Sequence, residues 1–270
     1  MYDYRAINCQ VMTDTKKKYE TNTALVEAVK HSIEKQFMVT AEEDIALSPA
    51  SDEQTNYVFS GKRSFEAAKT YKGKKVAVLN FANNHCPGGA PFSAGAQEES
   101  LCRCSTLLPC ISAMFEPFYE KHRNEYDSGI IDNLGSDDLI YTPDIIVFKT
   151  DERTDPVIPQ MMEEEEWYKV DVITCAAPQM NRFCSFPENY ESVISSRIKK
   201  ILDVAAQEKV EVLILGAWGC GAFANDSGIV SKVFCKLLKN YAFPTVEFAL
   251  ACKDEDVGNS IFTQTFKGQA

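Results

Sequence analysis

Gln97-Glu98-Glu99 places two adjacent carboxylates where a glycine-rich loop gives way to a helix. A carboxyl so placed can protonate a departing oxygen and then take a proton from attacking water. Carboxylates in a first helical turn are ordinary by themselves, because the helix dipole favours them there. Here they follow the apolar run Val76–Phe81 and the short stretches Asn80-Phe81-Ala82-Asn83 and Cys86-Pro87-Gly88-Gly89-Ala90. A buried strand therefore aims at the carboxylates through a loop that glycine lets turn sharply.

A second loop of this kind is Gly216-Ala217-Trp218-Gly219-Cys220-Gly221-Ala222-Phe223, between the apolar run Val210–Leu215 and a helix capped by Asn225 or Asp226. Its glycines let backbone N–H groups turn toward one point, and the helix start adds partial positive charge. Such a loop can hold a diphosphate without a lysine cluster. No GxxxxGK[ST] run is present, so a P-loop nucleotide site is excluded. Gly219-x-Gly221-x-x-Ala224 fits the loose dinucleotide fingerprint, but it follows a late strand and equally fits a tight strand-to-helix turn.

The rival chemistry is a thiol or metal site built from His85, Cys86, Cys102, Cys104 and Cys110. Cys102 and Cys104, two apart on a helix, point about 200° away from each other, and no CxxC pair exists. No metal and no cofactor is expected.

The chain has 270 residues, 45% of them hydrophobic, enough for one large domain with a full core. The net charge of −11 argues against non-specific contact with nucleic acid. No run is long enough for a membrane span, and the first residues lack a signal-peptide core, so a cytoplasmic protein is expected. The ten cysteines are scattered, several within apolar runs, and read as reduced thiols. The acidic run Glu163–Glu166 reads as a solvated loop.

The elements that must position the two loops are legible from hydrophobic spacing. Leu25, Val29, Ile33 and Phe37 predict a helix over 23–38, with His31 off its apolar stripe. Residues 40–60 are polar, contain Ser48-Pro49, and read as a loop; 64–71 read as a short helix. A helix over 98–108 is interrupted at Pro109, and a second one ends at His122. Strands follow at 145–148, 170–177, 210–215 and 245–250, with helices around Ile194–Ala205 and Ile229–Leu238 between them. This alternation implies an α/β fold with a mixed, mostly parallel sheet covered on both faces. Residues 1–72 read as a helical accessory region packed on a catalytic core over 73–270.

Gly88-Gly89-Ala90, six residues (Pro91–Ala96), then Gln97-Glu98-Glu99 resembles the signature of the bacterial and fungal poly(ADP-ribose) glycohydrolases. Ser100-Leu101-Cys102-Arg103, Asn80-Phe81-Ala82-Asn83 and the stretch Leu215–Asp226 match in order and on corresponding elements, so the resemblance spans about residue 75 to the end. It implies a three-layer α/β/α macrodomain core that takes ADP-ribose or an ADP-ribosylated protein. It further implies Glu99 as acid/base, Glu98 and Asn83 at the cleaved ribose, and Gln97 lining the glycine loop. Gly219, Cys220, Gly221 and Ala222 would wrap the diphosphate and Phe223 would fix the terminal ribose. The chemistry implied is hydrolysis of an O-glycosidic ribose bond through an oxocarbenium-like state. Neighbouring Glu98 and Glu99 cannot straddle one sugar, so one catalytic carboxyl is expected, assisted by the bound phosphate. Burial would raise its pKa and the helix start would lower it. Ala90 stands where the family has a third glycine; its Cβ restricts φ and adds bulk near the ligand. A hydrolase of single ADP-ribosyl units and a macrodomain that binds without cleaving are the alternative readings.

Overall fold

In the computed structural model, residues 3–45, 54–152 and 157–268 are described. Seven strands form one sheet in the order β1-β4-β5-β3-β6-β7-β2. They are β1 (Phe37–Val39), β2 (Asn56–Ser60), β3 (Val76–Phe81), β4 (Leu139–Val147), β5 (Tyr168–Cys175), β6 (Val212–Leu215) and β7 (Thr245–Ala249). β4 runs antiparallel to β1 and β5, and every other pairing is parallel.

Period-two alternation splits the central strands between two cores. Ala77 and Leu79 of β3, Leu213 and Leu215 of β6, and Val246 and Phe248 of β7 face one layer. That layer holds α7 (Tyr190–Gln207), α8 (Ser227–Leu238) and α10 (Ile261–Lys267). Val76 and Val78, Val170 and Val172, and Val212 and Ile214 face the other layer. There lie α3 (Ser64–Lys69), α4 (Gln97–Cys104) and α5 (Leu107–Ser112), with α1 (Tyr4–Thr21) and α2 (Thr23–Lys35) outside them. Among the described residues the remaining α-helices are α6 (Lys121–Asp127), which follows a π-helical turn over Phe115–Glu120, and α9 (Asp254–Val257). The three-layer expectation holds.

Several local expectations are corrected. Phe37 does not continue α2. The helix ends at Lys35, and Phe37 opens β1, where its ring stacks on Tyr141 at 5.3 Å. The stretch read as a loop over 40–60 ends in β2; Ser48-Pro49 lies outside the described residues. Both strands fall before residue 73, so the segment read as a helical extension also supplies both edges of the sheet. Short, half-buried edge strands carry too little apolar alternation to be read from sequence. The strand expected at 145–148 is nine residues long, because a bulge between Thr142 and Ile145 absorbs Pro143 and Asp144, the latter at φ 58°. Pro109 does not break a helix. It sits in the first turn of α5, where its missing N–H costs nothing. The break comes earlier, at Ser105, which bridges to Val147 of β4. His122 does not end a helix either. It lies inside α6, 1% exposed, with Nε2 2.9 Å from Asp138 and Nδ1 3.3 Å from the Asn84 carbonyl. His31, off the stripe as expected, pairs with Asp144 at 3.0 Å.

Candidate active site

β3 and β6 are adjacent and parallel, so the loops that leave their carboxyl ends open on one edge of the sheet. From β3 the chain continues to strands on one side, β5 and β4; β6 and β7 lie on the other. A crevice at such a reversal of strand order is where open α/β sheets hold ligands. Both sequence-predicted loops therefore meet. The Phe81 ring lies against Gly216, 3.0 Å from where a Cβ would stand.

Asn80 shares the face of Val76 and Val78, which puts its side chain under α4. Its Nδ2 donates to Glu98 Oε1 at 3.1 Å, and the Asn83 N–H donates to Glu98 Oε2 at 2.8 Å. Glu98 is 3% exposed, and burial pushes its pKa up to about 8 against the pull of those two donors. Gln97, which the resemblance places along the glycine loop, is tied to β3. Its Oε1 accepts from the Phe81 N–H at 2.9 Å, and its Nε2 donates to the Leu79 carbonyl at 2.8 Å. It fastens the start of α4 to the end of β3. Asn83 folds the loop on itself, its Oδ1 accepting from the N–H groups of His85 and Cys86 at 2.8 and 2.9 Å. With that oxygen committed, only its NH2 can address a sugar.

Glu99 is 8% exposed, and its two oxygens differ. Oε1 accepts from the Ala90 N–H at 3.2 Å, while Oε2 is buried without a hydrogen-bond partner among the described residues. Asn80 Oδ1 and His85 Nε2 are likewise buried and unpartnered, in the same strand–loop–helix unit. Such groups are rare in a folded protein. Gly88 and Gly89 take φ of 72° and 63°. A Cβ on Gly89 would overlap Glu99 Oε1, so glycine is what lets this carboxylate lie against the loop. Ala90, where the family has glycine, is not among the residues of positive φ and is exposed. Its Cβ therefore strains no backbone, contrary to the expected restriction.

In the second loop, Gly219 has φ of 73°, and a Cβ there would run into Ala177 and the Asn225 amide. Asn225, 5% exposed, donates through Nδ2 to the carbonyls of Pro178 (2.8 Å) and Gly219 (2.9 Å) and accepts from the Tyr190 hydroxyl at 3.1 Å. Asp226 is the cap of α8, accepting from the Ile229 N–H at 2.8 Å. The N–H groups of Cys220 and Ala224 bond within the loop. Those of Gly221, Ala222 and Phe223 meet no acceptor among the described residues, and Gly221 and Ala222 are exposed. The Phe223 carbonyl accepts from the Asn181 N–H at 3.1 Å, which fixes that half-buried residue at the rim.

The cysteines do not gather into a rival centre. Burial raises the thiols of Cys102 and Cys104 well above the ordinary range and Cys110 to about 12, the reverse of a nucleophile. Among the described residues no group of three or more His, Cys, Asp or Glu side chains could hold a metal ion. Sequence reasoning gave no role to Asn80, although an Asn within an apolar strand is a signal in itself. It also missed Asn8, whose partners are distant in the chain, gave Arg103 no contact, and offered Asn225 only as a helix cap, a place that Asp226 takes.

Fold and site define an α/β protein whose carboxylate loop and amide loop leave the carboxyl ends of two adjacent central strands. The sequence profile of the microbial-type PARG catalytic domain matches residues 8–150, and the chain belongs to that family. Among solved structures it is similar to the poly(ADP-ribose) glycohydrolase (PARG) of Thermomonospora curvata, with 28% identity and a TM-score of 0.79 over 97% of this chain and 99% of that one. A glutamate-to-alanine mutant of the same enzyme matches with 27% identity and a TM-score of 0.78 over 96% and 99%. The Deinococcus radiodurans enzyme in complex with ADP-ribose matches with 29% identity and a TM-score of 0.76 over 90% and 98%. No curated protein gives a match.

Proposed function

We propose that this chain hydrolyses the O-glycosidic ribose bond of ADP-ribose polymers or conjugates, with Glu99 as the acid/base and without a metal ion. The observation that carries this reading is the asymmetry of Glu99. Oε1 is held by the Ala90 N–H, and Oε2, buried and unpartnered, is left to face the glycosidic oxygen. Glu99 delivers a proton to the departing oxygen while positive charge develops on the ribose anomeric carbon. The resulting carboxylate takes a proton from the water that attacks that carbon. Burial raises the Glu98 pKa to about 8, which favours its neutral form. Glu98 and the NH2 of Asn83 hold hydroxyls of the cleaved ribose. The N–H groups of Gly221, Ala222 and Phe223 take the diphosphate, beside the positive end of α8. That local grip explains how a chain of net charge −11 can hold a dianion.

The Deinococcus relative is described in complex with ADP-ribose and a Thermomonospora structure as a glutamate-to-alanine mutant, which supports the ligand and the kind of catalyst. The test is incubation with an automodified ADP-ribosylated protein. Released ADP-ribose, unaffected by a chelator, is the expected result. ADP-ribose that raises the melting temperature with no release would make the protein a binder, and loss of release with chelator would require a metal.

A further inference from the structure

We propose that the N-terminal helix α1 sets the position of Glu99 through Asn8, which together with Arg103 clamps the turn that carries the Ala90 N–H. The proposal rests on the reading of Glu99 as the acid/base, and it assigns Asn8 and Arg103 as positioning residues that touch no substrate.

Residues 90–94 close on themselves. The N–H groups of Ser93 and Ala94 donate to the Ala90 carbonyl at 3.0 and 2.8 Å. The Ala90 N–H, on the other side of the same residue, holds Glu99 Oε1 at 3.2 Å. Those internal bonds do not fix the turn relative to α4. Two side chains from elsewhere do. Asn8 Nδ2 donates to the carbonyls of Ser93 (3.3 Å) and Ala94 (3.1 Å). Arg103 Nη1 donates to those of Pro91 (2.8 Å) and Ala94 (2.7 Å). Three carbonyls of one turn are thus gripped from α1 and from α4, with the Ala94 carbonyl shared between both jaws.

Arg103 follows Glu99 by one helical turn, so its grip makes α4 and the loop one body. Asn8 adds an anchor that belongs to neither. It stands on the inward stripe of α1 with Met12, Thr15 and Tyr19, and it is 8% exposed. An apolar residue at that position would leave the Ser93 carbonyl without a donor and the Ala94 carbonyl with Arg103 alone. A displaced turn moves the donor that orients Glu99, and small misplacement of a reacting group costs on the order of 10- to 100-fold in rate.

The experiment uses the full chain and compares Asn8→Ala with Thr15→Val. Thr15 Oγ1 also ties α1 to the body, through the Arg103 carbonyl at 2.6 Å, but it touches no part of the turn. Asn8→Ala is expected to speed backbone hydrogen exchange across residues 90–94 and to lower kcat about 10-fold or more, with the Kd for ADP-ribose within about 2-fold. Thr15→Val is expected to lower Tm but to leave both exchange at 90–94 and kcat near wild type. Unchanged exchange at 90–94 in Asn8→Ala, or equal effects of both substitutions on kcat, overturns the proposal. A wild-type protein that releases no ADP-ribose, yet shows the faster exchange in Asn8→Ala, keeps the clamp and removes the hydrolase reading instead.

Discussion

The Ala90 N–H donates to Glu99 Oε1 at 3.2 Å, and the neighbouring Gly89 leaves just the space that this carboxylate occupies. The glycine loop is therefore a seat for the carboxyl, and its two central positions should respond very differently to one methyl group. Gly89→Ala combines an overlap with Glu99 Oε1 and a φ of 63° that L side chains resist. Its release rate should fall roughly 100-fold. Ala90→Gly, at a position free of backbone strain, should fold normally and lose only about 0.4–1 kcal/mol of stability to added chain entropy. Initial rates and urea unfolding of both variants check this.

Glu98 makes stability depend on pH. Its folded pKa of about 8 lies above the ordinary 4.5, so the folded protein binds this proton more tightly than the unfolded chain. Unfolding releases the proton between those values, and Glu98's contribution therefore falls as pH rises through that window and levels off above it. Glu98→Gln should flatten the profile, because a neutral amide fits the site and can donate to the unpartnered Asn80 Oδ1 once the Asn80 amide turns over. Unfolding free energies from pH 5 to 9 for the two proteins provide the comparison.

Gly219→Ala should damage ligand binding and leave the chemistry of Glu99 untouched. The added Cβ meets Ala177 and the Asn225 amide, and the strain shifts the N–H groups that follow. Calorimetry should show the Kd for ADP-ribose weakened about 10-fold or more, in keeping with the loss of one or two charge-assisted hydrogen bonds. At saturating substrate, kcat should change far less.

Asp138 ties the segment after β1 to α6. Its Oδ1 accepts from the Ala41 N–H at 2.6 Å, and its Oδ2 lies 2.6 Å from Lys121 Nζ and 2.9 Å from His122 Nε2. Burial pushes its pKa up, but the bonds to His122 and Lys121 outweigh that and hold it below the usual carboxylate range. Its stabilisation is present at neutral pH and is lost as pH falls through the folded pKa. Asp138→Asn should cost about 3 kcal/mol, the scale for breaking a buried charge pair, and should blunt acid unfolding. Thermal melts from pH 3 to 7 measure both.

The strands β3, β5, β6 and β7 were legible because buried parallel strands read as unbroken apolar runs, and the two loops because each joins such a run to a helix through closely spaced glycines. Positions that depend on distant partners were not. Nothing in the residues around Asn8 says that its amide meets Ala94, and β1 and β2 become strands only because an open sheet edge lies beside them. His122 reads as a helix end because the residues that follow it are polar. Burial against Phe118, at 4.4 Å between rings, and the pairing with Asp138 are tertiary facts. Ala90 looked like a defect because the sign of φ at that position cannot be read from residue type.

The assignment of Glu99 is tested most directly by comparing wild type with Glu99→Gln in two measurements on the same preparations, ADP-ribose binding by calorimetry and ADP-ribose release from automodified protein. Gln keeps the acceptor for the Ala90 N–H but cannot deliver or receive the proton. Binding should stay within a few-fold of wild type, while release falls by about 10²- to 10⁴-fold, the usual range for loss of a general acid/base. Release at the wild-type rate from Glu99→Gln would contradict the assignment and move the search for the acid to Glu98.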